Sequence, residues 1–172
     1  MTEAGLRIAL HLTARITLVF FLCAFTGNAF RALWPARFSL WLSRNRDWFL
    51  VAMAASHTFH LAAIIAFFQV VGWSKLHLVT VLGGGSVYLL IYALAAAAIR
   101  RLRRDGHGFL AGSPRLEAAA LYLIWLIFAL AFIPRIVSGW PVYSILAVTA
   151  LTALAIRIAC LVRHKRSLAA AA

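Results

Sequence analysis

Long stretches without a charged side chain constrain the fold of this chain more than any other feature. They cover residues 16–30, 48–74, 76–99, 118–134 and 136–156. A helix needs about 20 mostly apolar residues to cross the roughly 30 Å hydrocarbon core of a bilayer. The stretches lack the regular alternation of polar and apolar residues that would favour strands. The sequence therefore predicts an all-α integral membrane protein, a bundle of five transmembrane helices.

The bounds of the spans follow once polar flanks are trimmed and snorkelling ends are added. The first run is the shortest, so its span extends back to about residue 9 and takes Arg15 into the membrane. A chain of 172 residues that is 65% hydrophobic leaves no room for a soluble domain that binds flavin or nucleotide. We predict a single transmembrane domain over residues 1–172, with spans at about 9–30, 48–72, 77–99, 116–136 and 141–162.

Basic residues are distributed unevenly over the connections between these spans. They number four between the first and second spans, one and five in the next two connections, one between the fourth and fifth spans, and four at the C-terminal end from Arg157 onward. Cytoplasmic loops carry the excess of Lys and Arg, so this alternation predicts an N-terminus outside and a C-terminus in the cytoplasm. Orientation accounts for most of the net charge of +13, and we expect the lipid bilayer, not nucleic acid, as its partner.

Two histidines lie deep inside the second predicted span. Counting about 1.5 Å per residue from Trp48, His57 and His60 lie about 14 and 18 Å into the bilayer. Their i, i+3 spacing puts both on one helix face. Three uses compete: an axial ligand of a haem, the start of a metal site, or hydrogen bonds to neighbouring helices. The metal site is disfavoured, because the apolar spans offer no Asp, Glu or third central His to complete a ligand shell.

A haem held by two histidines would need a second ligand at similar depth, and the other histidines lie elsewhere. His11 and His77 are near the predicted outer surface, whereas His107 and His164 fall in predicted cytoplasmic segments. Ligation by one histidine, or tilted ligation between His60 and either His77 or His11, stays open.

Two further features could face a cofactor. Arg7, His11 and Arg15 recur every four residues along one face of the first helix, where they either attract an anionic group such as a haem propionate or snorkel to the surface. Gly83-Gly84-Gly85 has no following Lys-Ser/Thr and is not a phosphate loop. We expect these glycines to admit the close approach of a neighbouring helix or a flat ligand.

Several short motifs occur in a particular order along the chain. They are Thr13-Ala14-Arg15 opening the first helix, a basic loop ending at Arg44 and Arg46, His60-Leu61 in the second helix, a glycine-rich third helix followed by a basic loop, and Leu116 and Tyr122 in the fourth. Over about residues 9–163 this order resembles the ferric reductase-like transmembrane domain family. Within that family it is similar to the haem-binding membrane subunits of bacterial periplasmic methionine sulfoxide reductase systems.

The resemblance implies that His60 is an axial ligand of a b-type haem, with His57 as a neighbour that substitutes for it or hydrogen-bonds. The chain departs from the family in its fourth helix, where members usually carry two more haem-ligand histidines. Those positions are Glu117 or Ala118 and Leu130 or Ala131 here. The resemblance therefore implies the fold and an electron-transfer ancestry more strongly than it implies bound haem.

Two functions follow as expectations. The first is a membrane electron-transfer subunit of ferric reductase-like type, in the bacterial inner membrane, that passes electrons to a partner redox protein. Its cofactor would be haem b with the iron on His60, and His57, His77 and Arg15 are the further cofactor-binding candidates. The alternative is a haem-free membrane scaffold or interaction subunit with a degenerate fold of the same type. In either case the chain is at most a subunit of an oxidoreductase that needs a partner chain.

Overall fold

The computed structural model describes residues 2–75, 78–103, 113–138 and 141–169, and these ranges are helical without any strand. The helices are α1 (Glu3–Leu33), α2 (Arg37–Arg44), α3 (Arg46–Val71), α4 (Leu78–Arg103), α5 (Pro114–Phe132) and α6 (Pro141–Ala169), with 3₁₀ helices at Trp73–Lys75 and Ile133–Ser138. Within the described ranges, five helices are long and apolar enough to cross a membrane, and α2 is the short exception. The prediction of an all-helical protein with five helices of membrane-spanning length is confirmed.

The helices run further than the apolar spans that predict them. α1 begins at Glu3, where an ion pair between Arg7 and Glu3, 2.7 Å long and four residues apart, continues the helix beyond its apolar part. α6 continues to Ala169, and its basic last turns suit the negative end of the helix dipole. α3 ends at Val71 because Gly72 adopts a φ of 94°, a left-handed conformation that terminates helices.

The contacts between residues group the chain into two compact units. Unit 1 comprises Met1–Phe21 and Asp47–Ala120, and unit 2 comprises Leu22–Arg46 and Leu121–Ala172. Each unit has its own buried apolar core. The core of unit 1 includes Leu18, Phe21, Leu50, Met53, Ile91 and Leu94, and that of unit 2 includes Phe25, Leu42, Leu121, Ile124, Ala147 and Ala150.

Three charged side chains, Arg101, Asp47 and Glu117, form an ion cluster in unit 1. The Arg101 guanidinium near the end of α4 donates to both carboxylate oxygens of Asp47, with its shortest contact at 2.6 Å, and to Glu117 at 3.0 Å. Asp47 and Glu117 each lie in the first turn of a helix, and Arg101 lies in the last turn of another. All three charges are therefore placed favourably for the helix dipoles as well as for one another.

Unit 2 contains an arginine inside a membrane-spanning helix. The Arg157 guanidinium of α6 donates to the carbonyl oxygen of Phe25 at 2.9 Å and to the Tyr122 hydroxyl at 3.2 Å. Its charge also lies 4.7 and 4.9 Å from the centroids of the same two aromatic rings. No Asp or Glu occurs in the sequence of unit 2, so carbonyl, hydroxyl and π-electrons take the role of a counter-ion.

The short helix α2 packs against α1 within unit 2 because Gly27 has no side chain. A Cβ added at Gly27 would lie 3.1 Å from the Leu42 carbonyl oxygen, closer than ordinary contact. Leu42 is buried, whereas Phe38 and Trp41 of α2 are exposed. A short helix with exposed aromatic residues is of the kind that lies along a membrane surface.

Arg157 should contribute to stability through its planar guanidinium and not only through its charge. Arg157→Lys keeps the charge but loses the planar guanidinium, whose N–H groups reach the Phe25 carbonyl and the Tyr122 hydroxyl at the same time. We therefore expect the free energy of unfolding to fall by about 1–3 kcal/mol. Tyr122→Phe removes one hydrogen bond and should lose about 0.6 kcal/mol. Unfolding in mixed detergent micelles measures both values. The matched control is Arg166→Lys on the exposed end of α6, and equal stability of the two lysine variants would contradict the assignment.

Candidate functional site

The histidines of α3 lie in unit 1 among polar side chains from two other helices. α1 contributes Thr13 and Thr17, and α4 contributes Tyr88 and Tyr92. Each pair is spaced four residues apart, which puts its members on one face of its helix, one turn above the other. The local sequence of α3, Ser56-His57-Thr58-Phe59-His60, supplies the polar groups that meet them.

α1 holds the imidazole of His60. The Thr13 Oγ1 atom lies 2.8 Å from His60 Nδ1 and 2.7 Å from the carbonyl oxygen of Ala9. Because a hydroxyl has one proton and a carbonyl can only accept, we assign Thr13 as donor to Ala9 and as acceptor from Nδ1–H of His60. In this assignment the neutral His60 carries its proton on Nδ1 and a lone pair on Nε2.

The same reasoning gives the direction of two more hydrogen bonds around the histidines. Thr17 donates to the carbonyl of Thr13, so its hydroxyl accepts from Ser56, with 2.9 Å between the oxygens. Thr58 donates to the carbonyl of Ala54 and accepts from the Tyr92 hydroxyl, also at 2.9 Å. Each of the three threonines thus accepts a hydrogen bond from a neighbouring helix, because it donates its own hydroxyl hydrogen to a carbonyl of its own helix.

His57 has a different environment. Its ring is 8% exposed and stacks between His60, at 5.3 Å between centroids, and Tyr88, at 4.2 Å. Its Nδ1 atom and the Tyr88 hydroxyl are buried, and neither has a hydrogen-bond partner among the described residues. No threonine hydroxyl contacts the His57 ring within that part of the chain, so its tautomer is not fixed as that of His60 is.

The arrangement of the His57 and His60 imidazoles suits one imidazole ligand better than several ligands around a common metal ion. Histidines that bind metals usually donate one ring N–H to a neighbouring acceptor, which orients the ring and leaves the other nitrogen for the metal. His60 with Thr13 has this arrangement. His57 lies beside His60 on the same helix, so the two rings do not oppose each other across a common ligand. No group of three His, Cys, Asp or Glu residues suited to a metal ion occurs in the described residues.

Of the other predicted cofactor residues, His57 stacks on His60, and Arg15 does not approach it. His77 lies outside the described residues. Arg15 is half-buried on α1, two residues from both Thr13 and Thr17, and so lies on the side of α1 away from α3. Arg7, on the same helix, pairs with Glu3 and stacks on the ring of Phe67 at 5.1 Å, which places it away from the histidines.

The three consecutive glycines of α4 face open space. A Cβ added at Gly83, Gly84 or Gly85 would meet no atom within 4 Å. The close approach of a neighbouring helix, which the sequence suggests, is therefore not seen in the described part of the chain. The alternative, that these glycines admit a flat ligand, stays a prediction.

Sequence reasoning identifies the two histidines but misses most of the polar residues around them. Tyr88, Tyr92 and Thr17 attract no attention individually, because such residues are common in membrane helices. The signal that could have found them is their pairing at i, i+4 inside otherwise apolar spans, which marks a polar face on α1 and another on α4.

Comparison of the chain with protein-family models, with curated proteins and with solved structures finds no match. The ferric reductase-like resemblance therefore depends on the short motifs in the sequence alone.

The hydrogen bond from His60 to Thr13 makes the tautomer of His60 measurable. In protein labelled with ¹⁵N-histidine, we expect the His60 proton on Nδ1. Thr13→Val keeps the shape but removes the acceptor, so the proton should redistribute toward Nε2 and stability should fall by about 1 kcal/mol. Thr17→Val is the matched control, because it removes a hydroxyl that contacts Ser56 instead. A wild-type His60 protonated on Nε2 would refute the assignment.

Proposed function

We propose that this chain is a membrane electron-transfer subunit of ferric reductase-like type that binds one b-type haem through His60. The observation that carries the proposal is the contact between Thr13 and His60, which leaves Nε2 of a deeply placed imidazole available as a ligand. The order of the sequence motifs and the five membrane-spanning helices add support.

In this proposal the residues of the chain hold and orient the cofactor. Nε2 of His60 would bind the iron, and Thr13 would fix the ring plane through Nδ1. The bound haem would supply one-electron transfer. The apolar residues of α3 and α4 would exclude water, and His57, stacked on His60, would restrict the movement of its ring. The open glycine face of α4 leaves space beside these helices for a flat group.

The proposal requires partners, because a single haem in the membrane needs both a source and an acceptor of electrons. The described residues form helices of membrane-spanning length joined by short segments, so we propose a partner redox protein for the exchange of electrons. The distribution of Lys and Arg supports an orientation with the N-terminus outside and the C-terminus in the cytoplasm of a bacterial inner membrane. The acceptor would then lie on the outer side.

Haem binding is testable with the purified protein. After expression with ample haem and purification in mild detergent, the reduced-minus-oxidised spectrum should show a b-type band that His60→Ala abolishes. Thr13→Val should weaken haem binding about 10- to 100-fold, the usual effect of removing a group that orients a metal ligand. Phe59→Ala, which removes an exposed side chain of the same helix, is the control and should keep the band. Loss of the band in His77→Ala would identify the second ligand of a tilted haem.

A haem-free scaffold is the second candidate, and a specific observation favours it. The bonds of Thr13 to His60, Thr17 to Ser56 and Thr58 to Tyr92 join helices within unit 1 and need no cofactor. Absence of a haem band from folded, monodisperse wild-type protein would overturn the electron-transfer proposal and leave the scaffold. Similar losses of stability in Thr13→Val and Thr17→Val would then support a structural role for both hydroxyls.

The proposed orientation has its own test. A fluorescent reporter that matures only in the cytoplasm should be active when fused after Ala172 and inactive when fused before Met1 in a bacterial host. An alkaline phosphatase reporter, which needs the oxidising outer side, should give the opposite pattern. The reverse result would show that the basic loops face outward in this protein, contrary to the positive-inside rule.

A further inference from the structure

A shallow groove runs along one face of α6 in unit 2. It has a volume of about 530 Å³ and is lined by Ala155, Ile158, Ala159, Val162, Arg163 and Arg166. These residues recur at three- and four-residue intervals and so form one stripe along the helix. The first four are apolar and the last two are arginines, so the stripe changes from apolar to basic toward the C-terminal end of α6.

The dimensions of the stripe match one leaflet of a membrane. At 1.5 Å per residue, Ala155 and Arg166 are separated by about 16 Å along the helix axis, close to half of the roughly 30 Å hydrocarbon core. The small side chains of Ala155 and Ala159 leave space beside the bulkier Ile158 and Val162. An acyl chain lying along this stripe would place its headgroup at the two arginines.

The two arginines of the stripe have N–H groups that make no hydrogen bond with the described residues. Arg163 donates one N–H to the carbonyl oxygen of Leu33 at 3.2 Å, and a guanidinium has five donors in total. Arg166 makes no hydrogen bond or ion pair with the described residues. The sequence of unit 2 contains no acidic residue, but nine basic ones: Arg31, Arg37, Arg44, Arg46, Arg135, Arg157, Arg163, Lys165 and Arg166. The charge complement must therefore come from outside this unit.

A second opening adjoins the basic end of the stripe. It has a volume of about 250 Å³ and is lined by Ala32, Leu33, Cys160, Arg163, His164 and Ser167. Arg163 lines both openings. His164 lines the same opening as Arg163 and offers a ring N–H to a headgroup, whereas the Ser167 hydroxyl donates to the His164 carbonyl at 2.7 Å.

We propose that this face of α6 binds an anionic phospholipid, with an acyl chain along the apolar stripe and the phosphate at Arg163 and Arg166. The uncompensated charge selects an anionic over a zwitterionic headgroup, because basic residues near a membrane surface attract anionic lipids. The apolar part of the groove selects a lipid over a free anion. The site is separate from His60 and does not depend on bound haem.

Native mass spectrometry of the detergent-purified chain tests the site with two lipids that share their acyl chains, phosphatidylglycerol and phosphatidylcholine. We expect one phosphatidylglycerol to be retained preferentially, and roughly tenfold weaker binding in the double variant Arg163→Gln/Arg166→Gln. Ala159→Trp should fill the groove and also reduce retention although both arginines remain. Equal retention of the two lipids by the wild type would overturn the proposal without any variant.

The control pair is Arg37→Gln/Arg44→Gln, which removes two exposed basic residues of unit 2 from α2. It should leave lipid retention unchanged, and an equal loss in both double variants would show unspecific attraction to a basic surface. Full competition by inorganic phosphate, or retention unaffected by Ala159→Trp, would show anion binding without an acyl site. A dimer that forms without lipid and is lost in Ala159→Trp would assign the groove to a second copy. Each of these results would overturn the proposal.

Discussion

Helix carbonyls take the role of water for the polar side chains in the membrane-spanning part of this protein. Thr13, Thr17 and Thr58 each donate to the carbonyl four residues earlier, and Arg157 donates to Phe25 of another helix. An unsatisfied polar group in hydrocarbon costs several kcal/mol, so such bonds are obligatory there. A threonine whose hydroxyl donates to a carbonyl of its own helix can only accept a hydrogen bond from a neighbouring helix. The donors must then come from the facing helix, and this fixes which residues pair.

This constraint separates the two histidines of α3, which look equivalent in the sequence. His60 faces a threonine that we assign as an acceptor, and in this assignment its Nδ1 is protonated and its Nε2 carries the lone pair. His57 faces the ring of Tyr88, and its Nδ1 has no partner among the described residues. An oriented ring with a free nitrogen is suited to ligation, whereas an unfixed one suits packing. The proposal of His60 as a haem ligand, first implied by a resemblance, thereby gains a physical argument of its own.

The sequence predicts the helices well and the site only in part, for the same physical reason. Crossing a bilayer requires a long apolar run, and such runs can be seen in a single sequence. The second predicted span ends at about residue 72, where Gly72 ends α3. The partners of His60 and Arg157 depend instead on which faces of distant helices meet. Arg157 lies 35 residues from Tyr122 and 132 from Phe25, and no local pattern encodes those distances.

The proposed orientation would account for the number of basic residues in this chain, but not for the groups that balance their charge. In unit 1, Arg101 is neutralised by Asp47 and Glu117, and Arg7 by Glu3. Unit 2 has no acidic residue, so the charge of its arginines is balanced by carbonyls, aromatic rings or groups outside this unit. Arg157 is enclosed and uses the first two. The exposed arginines at the end of α6 have no such enclosure, and in a bilayer the anions nearest to them are lipid phosphates. The proposed orientation and the proposed lipid binding would then be two consequences of one charge distribution.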